Sequence, residues 1–179
     1  MGKTILVTGA AGFIGSHTAQ LLASRGDKVI GLDNLNDYYD PAQKRANLEE
    51  VRQVLTQQGQ ADAFSFVEGD IRDQKVVAEL FVTYSFDAIV HLAAMAGVRV
   101  SIENPHMYYD VNVLGTLNLL DAAVGRITRE GKLDTLPTFV FASTSSVYGN
   151  SAQIPFVEHD ASDRPLAPYA ASKRGGELI

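Results

Sequence analysis

The sequence predicts an α/β domain: a doubly wound parallel sheet with helices on both faces. Three observations carry this. Short apolar runs alternate without a break with segments of helical apolar period. A glycine cluster, Gly9 to Gly15, separates the first run from the first helical segment. The chain has 179 residues, is 46% hydrophobic and contains no internal repeat or low-complexity tract, which suits one cored domain rather than a disordered segment.

The elements follow in order. Thr4–Thr8 is the first strand, and Phe13 to Arg25 is a helix with Ile14, Ala19, Leu21 and Leu22 at helical spacing, ended by Gly26. Lys28–Asp33 is the second strand. Pro41 opens a helix to about Gln58, stopped by Gly59. Phe64–Glu68 is the third strand, and Asp73 N-caps a helix to about Tyr84. Ala88–Leu92 is the fourth strand. After the Pro105 turn a long helix is expected from about Met107 to Arg129, with Gly131 behind it. Thr138–Ser143 is the fifth strand. A loop with Pro155, Pro165 and Pro168 then leads to a helix that starts at Tyr169 and still runs at Ile179. Five strands and five helices with right-handed crossovers give the strand order 3-2-1-4-5.

The glycine cluster reads Gly9-Ala10-Ala11-Gly12-Phe13-Ile14-Gly15. Gly9 permits the turn off the strand, Gly12 lets a pyrophosphate approach the backbone, and Gly15 lets the helix pack close to the sheet. The helix N-terminus offers N–H groups and partial positive charge to phosphates. This is the Rossmann dinucleotide signature in its proper context. Asp33 lies 18 residues past Gly15, at the end of the second strand, where a carboxylate takes the hydroxyls of the adenine ribose. Such a carboxylate repels a 2′-phosphate, so NAD is expected rather than NADP. Asp70-Ile71, after the third strand, is placed to meet the adenine ring.

Tyr169-Ala170-Ala171-Ser172-Lys173 sets a phenol and an ammonium at i and i+4 on one helical face. A nearby ammonium favours the phenolate, which lets a tyrosine serve as general base near neutral pH. The pair is common on ordinary helices, but here it opens the helix after the fifth strand, downstream of a dinucleotide loop. The run Ser143-Thr144-Ser145-Ser146 puts hydroxyls at the carboxyl end of that strand, where ligands bind in such sheets.

These motifs, with His91-Leu92-Ala93-Ala94, Asn112-Val113-x-Gly115-Thr116 and Ser146-Val147-Tyr148-Gly149, occur in an order that resembles the extended short-chain dehydrogenases/reductases over the whole chain. Within that superfamily, the stretch Gly31 to Pro41 with Lys44-Arg45, and Ala96-Gly97-Val98-Arg99, resemble the UDP-glucuronate 4-epimerases. The resemblance implies catalytic roles for Tyr169, Lys173 and Thr144. Tyr169 would take the proton of the sugar 4-hydroxyl while NAD accepts the C4 hydride and returns it to the other face of a transient 4-keto sugar. Lys173 would hold the nicotinamide ribose and lower the Tyr169 pKa; Thr144 would hydrogen-bond the 4-oxygen. The implied cofactor set is Gly9, Gly12, Phe13, Ile14, Gly15, Asp33, Asn34, Asp70, Ile71, Leu92, Ala93, Ala94, Tyr169 and Lys173. Arg99, Ser145 and Ser146 would face the nucleotide-sugar substrate, and Asn112 would brace the backbone.

Sibling reactions are weighed by the same residues. A sugar dehydratase of this superfamily places Asp-Glu directly after the Thr at position 144, where this chain has Ser145-Ser146. Decarboxylation of a 4-keto uronate uses the same proton relay and stays open, as does a non-catalytic NAD-binding module. Family members carry further strands and a substrate domain, so the chain is expected to be the cofactor part of a longer enzyme, cut within the Tyr-Lys helix. It is expected to bind NAD without turnover, with a less ordered last helix and a fifth strand left as an open edge. The parent is expected to be able to dimerise through the helices flanking strands four and five.

Composition trims the remaining classes. Fifteen Lys+Arg against 21 Asp+Glu give a net charge of −6, which disfavours nucleic acid or an anionic membrane as the partner. Zero cysteines exclude disulfides and thiolate chemistry. No apolar run of membrane-spanning length and no signal peptide are seen, so a cytoplasmic location is expected. His17, His91, His106 and His159 lack metal spacing, and Asp33–Asp40 does not follow a calcium-loop pattern, so no metal is expected. The polar face with Lys44, Arg45, Glu49, Glu50 and Arg52 is read as solvated.

Overall fold

In the computed structural model, residues 2–130, 136–151, 154–161 and 163–179 are described. The strands are β1 Thr4–Thr8, β2 Lys28–Asp33, β3 Phe64–Glu68, β4 Ala88–His91 and β5 Thr138–Phe141. They form one sheet in the order β3-β2-β1-β4-β5, parallel throughout. The expected strand order is therefore met. Each strand carries apolar residues on both faces, as a sheet covered on both sides requires. Ile5, Val7 and Val29 pack on one side with Ala19, Leu48, Val51 and Leu55. Leu6, Ile30, Leu32 and Ile89 pack on the other with Val77, Leu80, Phe81 and Leu119.

The helices are α1 Phe13–Ser24, α2 Pro41–Gln57, α3 Gln74–Thr83, α4 Val98–Glu103, α5 Pro105–Tyr109, α6 Thr116–Glu130 and α7 Pro168–Leu178. Local chemistry sets their starts. The Asp40 carboxylate accepts from the Ala42 N–H at the head of α2. The Asp73 carboxylate accepts from Lys75 and Val76 at the head of α3. Prolines stand at the first positions of α2, α5 and α7, where a missing N–H costs nothing.

Three expectations need correction. The fourth strand ends at His91 rather than Leu92, and the fifth at Phe141 rather than Ser143, because the chain leaves the sheet toward the cleft at both points. The described residues hold seven α-helices rather than five, since the segment before Pro105 coils into α4. The expected long helix starts at Pro105, and its second turn, Asp110–Gly115, widens to π geometry before α6 continues. Gly131, expected behind that helix, lies outside the described residues. Among the described residues β5 pairs only with β4 and so lies at an edge of the sheet.

The candidate dinucleotide cleft

The carboxyl ends of β1, β2 and β4 open into a cleft of about 660 Å³. Its floor is the glycine loop. Gly9 has φ +68°, and a Cβ on it would press within 2.8 Å of the Ala93 backbone nitrogen. A Cβ on Gly15 would stand 2.0 Å from the Gly9 carbonyl oxygen, so only glycine lets α1 start so close to the sheet. No side chain caps α1 and no acidic residue sits in its first turn. Its N-terminal N–H groups and dipole therefore face the cleft, the arrangement that holds a pyrophosphate. A dinucleotide fits this cradle because the glycines let the loop fold against the sheet and leave the start of α1 uncapped. Phe13 and Ile14 line the cleft mouth, and Phe13 remains 78% exposed.

Asp33 stands at the end of β2 and is buried. Its carboxylate accepts from the Ala11 N–H at 3.1 Å and the Leu35 N–H at 2.9 Å, which fixes it toward the cleft. Asp70 is held by both its neighbours. The Arg72 guanidinium donates from Nε and Nη2 at 3.0 and 2.7 Å, and Asn34 Nδ2 donates at 2.8 Å. Burial pushes its carboxyl up, but these hydrogen bonds prevail and hold it at about 2, ionised at any neutral pH.

The opposite wall comes from α7. Tyr169 and Lys173 both line the cleft one turn apart. The Tyr169 ring meets the fully buried Tyr108 edge-on, with centroids 6.1 Å apart. Lys173 Nζ lies 4.1 Å above the Phe141 ring centroid, a cation–π contact that anchors the ammonium against the end of β5. Burial lowers its pKa to about 8, with Glu177 pulling the other way. Asn112, 1% exposed in the π turn, donates to the Met95 carbonyl at 3.0 Å and accepts from the Met95 N–H at 2.8 Å. It also donates to Ser172 Oγ at 2.9 Å. It ties the loop after β4 to α7, which is the bracing role expected of it. His91 is buried with Nδ1 2.6 Å from Thr8 Oγ1 and Nε2 2.9 Å from Thr116 Oγ1; burial lowers its pKa to about 3, so it is a neutral structural histidine.

All fourteen residues expected to hold the cofactor line this one cleft. The substrate-side expectations fall elsewhere. Ala142 and Ser143 line the cleft, whereas Thr144, Ser145, Ser146 and Arg99 do not. Thr144 Oγ1 instead accepts from the Ser146 N–H at 3.2 Å and caps the short turn Ser145–Tyr148. Arg99 is exposed on α4.

Sequence reading missed several lining residues, among them Asn36, Tyr38 and Lys44. Lys44 corrects the reading of the α2 face as merely solvated: it is only 7% exposed, 2.8 Å from Asn36 Oδ1 and 3.7 Å from Asp33 Oδ1. The start of α2 lies along the cleft, with Asp40, Gln43, Lys44 and Asn47 in its lining. Tyr38 and Tyr108 both donate to the Ala96 carbonyl, joining the loop after β2 to the loop after β4.

The sequence pattern of the family described as GDP-mannose 4,6 dehydratase matches residues 6–179. UDP-glucuronate 4-epimerase 4 of Arabidopsis thaliana is 47% identical over 178 residues, 99% of this chain and 37% of that protein. The UDP-glucuronate 4-epimerase of Thermodesulfobacterium geofontis is 43% identical over 174 residues, 97% of this chain and 49% of that one. Among solved structures, the UDP-glucose 4-epimerase from Bifidobacterium longum in complex with NAD+ and UDP superposes with a TM-score of 0.79 at 31% identity, over 98% of this chain and 47% of that one. A dTDP-glucose 4,6-dehydratase from Streptomyces venezuelae, with NAD bound, gives 0.78 at 39% identity over 98% and 49%. The chain thus spans less than half the length of each of these relatives.

Proposed function

We propose that this chain, which belongs to the GDP-mannose 4,6 dehydratase family, is the cofactor-binding part of an NAD-dependent nucleotide-sugar 4-epimerase acting on UDP-glucuronate. The observation that carries this reading is the convergence of the glycine loop, Asp33 and Asp70 on one side of a cleft with Tyr169 and Lys173 on the other. The glycine cradle and the bare N-terminus of α1 fit a pyrophosphate, Asp33 fits a ribose diol, and Asp70-Ile71 fits an adenine edge.

Bound NAD would supply a hydride acceptor that later returns the hydride. The chain's own residues do the rest. Tyr169 takes the proton of the sugar 4-hydroxyl and gives it back after the ring has turned. Lys173, charged below about pH 8, lines the cleft one helical turn from Tyr169 and offers donors to a ribose. Asn112 and Tyr108 hold α7 and its tyrosine against the loop after β4. Thr144, which caps the turn after β5 and does not line the cleft, would have to turn toward the 4-oxygen once a substrate is bound in a longer protein. The residues after Thr144 are Ser145 and Ser146, which cannot act as the carboxylate pair that eliminates water, so epimerisation is preferred to dehydration.

The test uses a full-length parent enzyme with NAD and UDP-glucuronate. UDP-galacturonate as product, lost by at least about a hundredfold in rate on Tyr169→Phe, supports the reading. A UDP-pentose with carbon dioxide would mean decarboxylation instead. The 179-residue chain alone is expected to bind NAD without turning over UDP-glucuronate. NAD binding with no reaction even in a longer parent would favour a binding module.

A further inference from the structure

Lys44 is a buried lysine beside the carboxylate that reads the ribose. Its side chain is 8% exposed, its Nζ is 3.7 Å from Asp33 Oδ1, and it holds Asn36 Oδ1 at 2.8 Å. A buried ammonium is costly unless paired, so its position is not incidental. Asp33 meanwhile has both oxygens tied to backbone N–H groups of Ala11 and Leu35 and cannot turn away. Opposite charges therefore lie side by side at the edge of the cleft where the ribose 2′-oxygen would sit. A lone carboxylate there rejects a 2′-phosphate by repulsion. A carboxylate with an ammonium at its shoulder presents little net charge, and the ammonium supplies donors to whatever oxygen stands at the 2′ position.

We propose that Lys44 is a specificity-determining residue of the cofactor site: it offsets the charge of Asp33 at the ribose 2′ position, so that the site tolerates a 2′-phosphorylated dinucleotide beside NAD. It follows that Asp33→Asn alone hands the preference to NADP, because the required cation is already in place. This rests on the reading of the cleft as an NAD site, and the experiment separates the two.

Dissociation constants for NAD and NADP are measured by calorimetry on the 179-residue chain and its variants. The unmodified chain binds NAD, and binds NADP within about a hundredfold of it. Lys44→Met weakens NADP by about tenfold more than NAD, while Lys44→Arg, which keeps the cation, leaves the ratio within about threefold. Asp33→Asn makes NADP the tighter ligand, and Asp33→Asn with Lys44→Met cancels that gain. Equal weakening of both cofactors by Lys44→Met would overturn the proposal and make Lys44 a strut for the Asn36 loop. So would NAD binding with no detectable NADP binding by the unmodified chain. Binding of neither dinucleotide would overturn the NAD reading itself, and this inference with it.

Discussion

Lys173 lines the cleft beside Tyr169, and its environment gives a signed prediction. Burial lowers its pKa from 10.5 to about 8. Between pH 8 and 10.5 the unfolded chain carries the proton and the folded one does not, so this group makes folding more favourable as pH rises through that window. Below pH 8 both forms are charged and the buried ammonium weighs against the fold. Urea denaturation of the wild type against Lys173→Met at pH 7.5 and 10 should show the wild type gaining on the variant at the higher pH; parallel behaviour would contradict the burial of this amine. His91 is a control of the opposite window: its contribution is complete above pH 6.5 and is lost as pH falls toward 3. Asn112 spends three hydrogen bonds on Met95 and Ser172. Asn112→Ala leaves buried partners unmatched and should cost about 3 kcal/mol in the same assay. Its bracing role was expected only through the family resemblance, on the motif Asn112-Val113-x-Gly115-Thr116. The placement of Lys44 was not legible, since a lysine in a polar helix face reads as solvated until the fold sets the start of α2 along the cleft, beside Asp33.

The elements divide in the same way. The five strands were legible because parallel strands buried on both faces read as continuous apolar runs, and the glycine loop because turn, phosphate approach and close packing each demand a residue without a side chain. Gly15→Ala should therefore abolish NAD affinity by at least about tenfold, since the new Cβ would meet the Gly9 carbonyl at 2.0 Å and push the loop off its path. Gly125→Ala is the contrast: it lies inside α6 with nothing within 4 Å of the new atom. It should stabilise the fold by about 0.5–1 kcal/mol with NAD binding unchanged. Calorimetry and thermal melts on the two variants check both statements. The π turn and α4 were not legible, because neither follows from local period. Within the widened segment Asp110–Gly115, Asn112 bonds Met95 and Gly115 lies against Ile71, where a Cβ would meet Ile71 Cδ1 at 2.6 Å. Those are tertiary demands that no window of sequence carries. The hydroxyl run after the fifth strand shows the same limit: its composition pointed to the cleft, but the strand ends early, and Ser143 rather than Thr144 reaches the lining.

At the scale of the molecule, one sheet with its winding reversed between β1 and β4 creates one cleft, and everything expected to touch the cofactor lies in it. A ligand that binds only the folded chain must stabilise the whole domain. NAD at a hundred times its dissociation constant should add about 2.7 kcal/mol, a rise of roughly 5–10 °C in melting temperature for a chain of this size. No helix among the described residues is long and apolar enough to cross a membrane. The chain covers less than half the length of each of the relatives compared above. If the wall carrying Tyr169 and Lys173 serves to remove and restore hydrogen at a single carbon, a full-length parent enzyme given UDP-glucuronate labelled with deuterium at C4 forms UDP-galacturonate that keeps the deuterium at C4, because the hydride never leaves the cleft. Loss of the label to solvent, or a product whose C4 configuration is unchanged, would contradict that role of the wall.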